Sequence, residues 1–277
     1  MILFPNAKIN LGLRVIKKRP DGFHDIETIF LPLKLCDILE FVDDGKKNTN
    51  LTVTGIGLDT GTDDNLVVRA WNIMNRKFNI PAVSIHLHKV IPVGAGLGGG
   101  SSDAAFMLKG LNERFNCGCA AAELRLLAAE LGSDCPFFID NLPAFATGRG
   151  EILESVRIYL DNYEILLIKP DIHVATREAY SGIVPAVPDT SLKTLILNPV
   201  PEWQQTIIND FEPVVFHNYP EIRSIKDKLL GSGAVYASMT GSGSAVFGIF
   251  ATGKIPGELK ESGTYFTFHG KMIPQKP

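Results

Sequence analysis

The segment 92–105, "PVGAGLGGGSSDAA", puts five glycines into seven positions, between a run that reads as a strand and one that reads as a helix. Glycine loses more backbone freedom on folding than any other residue, so a chain gathers it where the backbone turns sharply or approaches something closely. A tight turn needs one or two. Gly94–Gly99 also fits the G-x-G-x-x-G of dinucleotide folds, but that pattern requires an acidic residue ending a second strand about 20 positions on. Here "CGCAAAELRLLAAEL" occupies that region, and it is helical, with Glu123 inside it. A P-loop needs lysine and Ser/Thr directly after its glycines, and no lysine follows these. What remains is an anion cradle, bare N–H groups leading into a helix that starts at Ser101-Ser102-Asp103, with the positive end of the helix toward the ligand. The hydroxyls of Ser101 and Ser102 are placed to cap that helix, to bind phosphate or to help hold Mg²⁺. A nucleoside triphosphate suits such a loop.

The surrounding chain mixes strands and helices. "AKINLGLRV" (7–15) alternates, with Ala7, Ile9, Leu11, Leu13 and Val15 on one face and Lys8, Asn10, Gly12 and Arg14 on the other, the pattern of a half-buried strand. A Pro-Asp-Gly turn follows, then the strands "IETIFLPL", "DILEFV" and "LTVTGI", a helix within 62–80, and the strand "VSIHLHKVIP" that feeds the glycine loop. Beyond the loop, Ala104, Leu108, Leu111 and Phe115 form a helical stripe. "AAELRLLAAEL" is a second helix, with Gly132 as its expected C-terminal cap. Asp134 follows on a turn constrained by Cys135-Pro136. "PAFATGRGEIL" reads as two short strands around a glycine turn, and the seam between two domains, 1–155 and 156–277, falls near 155–163. The second domain reads as strand "YEILLIKP", a proline-rich loop over 182–201, helices near 202–211 and 219–230, strands "AVYASM" and "AVFGIFA" around the glycine loop "TGSGS", and a closing strand in "TYFTFHGK". Without regular βαβ alternation, the class is α+β.

Composition narrows the function. The 277 residues suffice for two packed cores, and a formal net charge of −3 offers no basic stripe for nucleic acid. Four scattered cysteines suit a reducing cytoplasm rather than a disulfide framework. Pro5 and Lys8 interrupt what a signal peptide would need, and no apolar run reaches the roughly 20 residues that span a bilayer. The expectation is a cytoplasmic protein with neither nucleic-acid nor membrane partner. His86 and His88 share a strand face without a third ligand, and Cys117-Gly-Cys119 lacks a second pair, so no protein metal site is expected.

The loop resembles the phosphate-binding motif of the small-molecule kinases that include galactokinase, homoserine kinase, mevalonate kinase and phosphomevalonate kinase. "PNAKINLGLRVIKKRPDGFHDIET", "GGGSS", "GSDCPFF", "ATGRGEIL" and "TGSGSAVF" occur in the order of one branch of that family. The resemblance implies an N-terminal domain like domain 2 of ribosomal protein S5 and a ferredoxin-like C-terminal domain. It implies ATP as phosphoryl donor, with Mg²⁺ held mainly through the phosphates. The acceptor it implies is a small molecule carrying a cytidine diphosphate group, phosphorylated on an alcohol in the non-mevalonate route to isoprenoid precursors. By the same resemblance Asp134 is the base and Lys8 the charge partner that keeps it ionised and draws the γ-phosphate. Pro92, Val93, Gly94, Ala95, Gly96, Leu97, Gly98, Gly99, Gly100, Ser101 and Ser102 hold ATP, with Asn65 and Lys89 beside the adenine. Asn10, Thr176, Gly241 and Gly243 serve the acceptor. Phe23 and Tyr180 sandwich its cytosine, while His24 reads the base edge. Asp103 stands where some members have asparagine, an unfavourable charge near phosphates. Two alternatives stay open: a kinase of the same family with another alcohol, which an acceptor panel separates, and a nucleotide-responsive binding protein without turnover, against which the pair Lys8 and Asp134 speaks.

Overall fold

The computed structural model describes residues 1–56, 64–261, 263–271 and 273. The chain gathers into two compact units, each built from separate stretches: Met1–Ala7, Leu35–Val93 and Gly98–Leu142 in the first, Lys8–Lys34, Gly94–Leu97 and Pro143–Pro277 in the second.

In the first unit a four-stranded sheet runs in the order β1 (Ile2–Leu3), β4 (Ile38–Val42), β6 (Ser84–Lys89), β5 (Asn50–Gly55). Its β5 lies parallel to β6, and the other pairs are antiparallel. Helix α1 (Leu66–Phe78) buries Val67, Ala70, Ile73 and Met74, the spacing the sequence shows, and its N-cap is Asn65. Residues 62 and 63, where this helix was expected to begin, lie outside the described residues. Helix α2 (Gly99–Arg114) comes so close to the sheet that a Cβ on Gly110 would stand 2.6 Å from Leu3 Cδ1 and 2.9 Å from Phe41. Helices α3 (Ala121–Ala129) and α4 (Cys135–Asp140) follow. Two expectations fail here. Helix α2 begins at Gly99, two residues before Ser101, so neither serine caps it, and Gly98 is the N-cap. Helix α3 stops at Ala129 with a right-handed cap at Glu130, and Gly132, which lacks a left-handed backbone, is not its cap.

The second unit holds two sheets. One has the order β2 (Asn6–Lys18, in this unit from Lys8), β3 (His24–Cys36), β7 (Ala144–Thr147), β8 (Ile152–Ser155). The other is antiparallel, in the order β10 (Tyr236–Met239), β11 (Val246–Ala251), β9 (Tyr163–Lys169), β12 (Phe266–Gly270). That order, with helices between β9 and β10 and between β11 and β12, is the ferredoxin-like arrangement. Helix α9 (Pro220–Gly231) sets Ile222, Ile225 and Leu229 among Leu166, Val246 and Phe250, each such side chain contributing about 1.5–3 kcal/mol by leaving water.

Three local readings change. Strand β2 is buried on both faces as far as Leu13, with Lys8 only 4% exposed, because its polar face is covered by other backbone rather than by solvent. The proline-rich stretch contains a short helix α6 (Leu192–Leu195), whose start is fixed by Glu27: its carboxylate accepts from Ser191 Oγ at 2.8 Å and from the Leu192 amide. The helix expected over 202–211 ends early. It is α7 (Trp203–Thr206), and a separate α8 (Glu212–Asn218) starts at a proline-bearing first turn.

Candidate active site

In the second unit, five expected site residues meet. The Lys8 ammonium donates to Asn10 Oδ1 at 2.7 Å and to the Gly96 carbonyl at 3.1 Å, and it lies 4.9 Å from the centre of the Phe30 ring. The Lys8 amide donates to the Leu97 carbonyl, which fastens the loop to the strand. Gly96 has a left-handed backbone, and a Cβ there would fall 2.1 Å from the Thr240 carbonyl oxygen, so only glycine lets the two segments touch. Gly241 approaches from the other side, its own Cβ position being 3.2 Å from Gly96 Cα and 3.5 Å from Asn10 Oδ1. Val93 is exposed, while Ala95 and Leu97 are buried anchors between the glycines. Thr176, at the start of α5 (Thr176–Tyr180), places its hydroxyl 3.3 Å from that of Ser242, between Gly241 and Gly243.

Three supporting residues escape a reading by sequence. Thr240 hydroxyl accepts from the Asn10 amide at 3.0 Å and reaches the Gly96 carbonyl at 3.2 Å. Thr28 accepts from Asn10 Nδ2 at 2.9 Å and donates to the Gly12 carbonyl. Asn209 donates to the carbonyls of Met239 and Gly241, holding the second glycine loop. Thr240 heads the "TGSGS" run and was within reach; the other two acquire their roles through contacts distant in the chain.

In the first unit the loop continues as a helix end. Gly98 sits at φ 70° as the N-cap, and the first intrahelical bond runs from the Ser102 amide to the Gly98 carbonyl at 2.9 Å. The amides before Ser102 therefore have no helical acceptor and face outward as donors. A Cβ on Gly100 would meet nothing nearer than Leu66 Cδ1 at 3.8 Å: the protein leaves that space open at a positive helix end. Ser102 Oγ is buried with no hydrogen-bond partner, a lack that a bound polar group would relieve. These features fit an anion such as a phosphate chain. Among the described residues no group of three or more His, Cys, Asp or Glu is arranged to hold a metal ion. His86 and His88 instead share the Thr54 hydroxyl.

Asp134 occupies the N-cap position of α4, yet its side chain makes no capping bond. The adjoining Cys135 is fully buried, and burial pushes its thiol up to about 11, so a thiolate plays no part beside Asp134. Asn65 Oδ1 accepts from the Val67 amide at 2.9 Å as the α1 cap. Lys89 is 3% exposed, bound by Asp37 and, at 2.7 Å, by Asp103 Oδ2. Burial alone would lower the Lys89 ammonium, but the two carboxylates hold it above its ordinary value. Burial pushes the Asp103 carboxyl the other way for an acid, up to about 8, against the pull of Lys89. A carboxyl raised in the folded state adds stability that is full below its unfolded value of 3.8 and is lost as pH rises towards 8. Asp103→Asn is therefore expected to be neutral near pH 4 and to stabilise near pH 8.5 by more than about 1.4 kcal/mol, the equivalent of one pKa unit. Denaturant titrations at both pH values check this, and an equal effect at both would contradict it.

The aromatic residues expected at the cytosine all lie in the second unit. Tyr180 stacks on His24, with centroids 4.7 Å apart and planes 17° from parallel, and meets Phe211 edge-on. It also packs against the core of the ferredoxin-like sheet. Phe23 is 55% exposed, with the Arg149 guanidinium 5.1 Å from its ring centre.

Known proteins bear on this geometry. The family model for the GHMP kinases N terminal domain matches residues 65–149, and that for the GHMP kinases C terminal matches 199–262. The 4-diphosphocytidyl-2-C-methyl-D-erythritol kinase of Parabacteroides distasonis is 50% identical over 98% of this chain and all of its own. A crystal structure of 4-(cytidine 5'-diphospho)-2C-methyl-D-erythritol kinase superposes with a TM-score of 0.77 at 32% identity, covering 90% of this chain and 89% of the other. Methanococcus jannaschii mevalonate kinase shares the fold at a TM-score of 0.72 over 99% and 98% of the two chains, with 14% identity. An α+β chain with this glycine loop and a nearly full-length match at half identity belongs to the 4-diphosphocytidyl-2-C-methyl-D-erythritol kinase family of GHMP kinases.

Proposed function

We propose that this protein is an ATP-dependent kinase that phosphorylates the 2-hydroxyl of 4-diphosphocytidyl-2-C-methyl-D-erythritol, giving the 2-phosphate and ADP, in the non-mevalonate route to isoprenoid precursors. The observation that carries the reading is the helix end at Gly98–Ser102, with outward amides and open space over Gly100. Phosphoryl transfer asks a protein for alignment, charge neutralisation and a place for one proton. The acceptor hydroxyl gives its proton to the Asp134 carboxylate as its oxygen bonds to the γ-phosphorus, and the bond to the bridging oxygen of ADP breaks. Lys8 meets the negative charge of the transferred group, held in its orientation by Asn10 and the Gly96 carbonyl. Mg²⁺, when bound, would be held mainly through the phosphates rather than by protein ligands and would supply neutralisation of their charge.

Asn65 flanks the adenine through its amide nitrogen. Asn10, Thr176 and the Gly241–Gly243 loop serve the acceptor, and His24, Tyr180 and Phe23 its cytosine. The working division at residue 155 also belongs to this proposal, and it is supported by the family matches, which fall wholly on either side of it. The reaction belongs to the cytoplasm.

Gly100→Ala tests the phosphate reading with effects of opposite sign. Exchanging glycine for alanine inside a helix is expected to raise stability by about 0.5–1 kcal/mol. The same methyl is expected to weaken ATP binding by about 1–3 kcal/mol, as for a group forced into occupied space. Calorimetric titration and thermal melting measure the two, and a more stable protein with undiminished ATP affinity would remove the phosphates from Gly100. Phosphorus NMR of the product tests the chemistry: a new phosphomonoester on the 2-oxygen is expected, and one on any other hydroxyl would overturn the assignment.

A further inference from the structure

Behind the phosphate loop, in the first unit, three ionisable side chains are buried together. Asp37 occupies the break between β3 and β4 and is completely buried. Its Oδ1 accepts from the amides of Val90 at 2.6 Å and Ile91 at 2.8 Å, where the chain leaves β6 for the loop. Its other oxygen binds the Lys89 ammonium, which reaches Asp103 Oδ2 on the second turn of α2. The loop is thus tied at both stems, the strand that enters it and the helix that leaves it. The fit between the stems is close: a Cβ on Gly99 would stand 3.0 Å from Ile91 Cγ2 and 3.3 Å from Lys89 Nζ.

An ammonium bound by one carboxylate, beside a second carboxyl that burial pushes towards its neutral form, is an expensive set to bury. Desolvating each ion costs several kcal/mol, and apolar residues of the same size are often at least as stabilising. Asp103 Oδ1 has no hydrogen-bond donor, so the set is not even fully satisfied. Such a cluster is weak as a source of stability. Its geometry is specific, however, since each of its bonds fixes a backbone segment on one side of the loop or the other.

We propose that the Asp37–Lys89–Asp103 cluster is a positioning device for the ATP phosphate loop, setting α2 against the end of β6 so that the helix amides are prealigned for the triphosphate. This rests on the reading of that loop as the phosphate site. Asp37 and Asp103 are positioning residues acting through the loop backbone, and Lys89, expected beside the adenine, is the link between them. Prealigned donors bind without reorganisation, so loosening them weakens nucleotide binding before it touches the chemical step.

Asp103→Leu cuts the tie to α2 while leaving Lys89 and Asp37 as a neutral pair. Its KM and Kd for ATP are expected to rise about tenfold or more, on the scale of effects from displaced binding groups. Its kcat at saturating ATP, its KM for the acceptor and its melting temperature are expected to stay near those of the parent. Asp103→Asn retains an oxygen for Lys89 and is expected to keep the parental ATP affinity. A merely structural role would lower the melting temperature and leave KM for ATP unmoved. If Asp103→Leu does not fold, Asp37→Asn, which keeps the acceptor for Val90 and Ile91 but removes the charge holding Lys89, must show the same selective rise. Parental ATP affinity in the folded variant would overturn the proposal and leave the phosphate reading standing. A parent protein that binds no ATP in the same titration would overturn both.

Discussion

Asp134→Asn is expected to lower kcat by about 10²–10⁴, the usual contribution of a positioned general base, with ATP affinity and melting temperature close to the parent's. The two halves of that expectation come from one local feature. Asp134 stands at the N-cap of α4 but spends no side-chain bond on the helix. The helix is held by what it buries: Cys135, Pro136, Phe137, Phe138 and Ile139. Asparagine is as good an N-cap as aspartate and nearly the same shape, so the start of the helix does not depend on the carboxylate. What disappears is the group proposed to take the hydroxyl proton. Steady-state rates beside calorimetric ATP titration separate the cases, and a kcat within a few-fold of the parent's would take the base role from Asp134.

Lys8→Ala is expected to cost about 10²–10³ in kcat, the scale for removing one prearranged electrostatic contact to the transition state. Lys8 is nearly enclosed, and its ammonium holds Asn10 Oδ1 and the Gly96 carbonyl. Alanine removes the charge and also leaves those two oxygens without that donor, so part of the loss will fall on stability, and melting must be followed alongside the rate. Lys8→Arg discriminates between charge and shape. A guanidinium is a rigid planar fork longer than the compact ammonium, and the bonded oxygens leave no room for it. Rescue is therefore expected to be poor at every pH. Arginine performing as well as lysine would reduce Lys8 to a general positive charge.

Sequence reading succeeded where local physics decides. The alternation over 7–15 marked β2, the 3.6-residue stripes marked α1 and α2, and the glycine run marked the loop. It failed where distant segments decide. Lys8 and Asn10 read as the polar face of a half-buried strand, because nothing nearby in the chain reveals that Gly96 and Thr240 cover that face. Gly99 and Gly100 hid the true start of α2, since glycine is a poor helix former and only the surrounding packing makes it helical. Within 182–201 the prolines masked α6, whose first amide is satisfied by Glu27 more than 160 residues earlier. Asp103 read as an unwelcome charge near phosphate; its partner Lys89, at the end of β6, is also bound by Asp37 from the break between β3 and β4. The cytosine residues were drawn from resemblance, and the stacking of His24 on Tyr180 joins segments too far apart in the chain to be read from it.

ADP formation from ATP with the purified protein measures ATP-dependent phosphorylation of a cytidine-diphosphate-bearing alcohol. The acceptors are 4-diphosphocytidyl-2-C-methyl-D-erythritol and the same polyol phosphate without the cytidine group. One ADP released per acceptor consumed is expected with the cytidine compound, and little with the truncated one. ADP release that is independent of acceptor, or equal with both, would contradict the proposed activity.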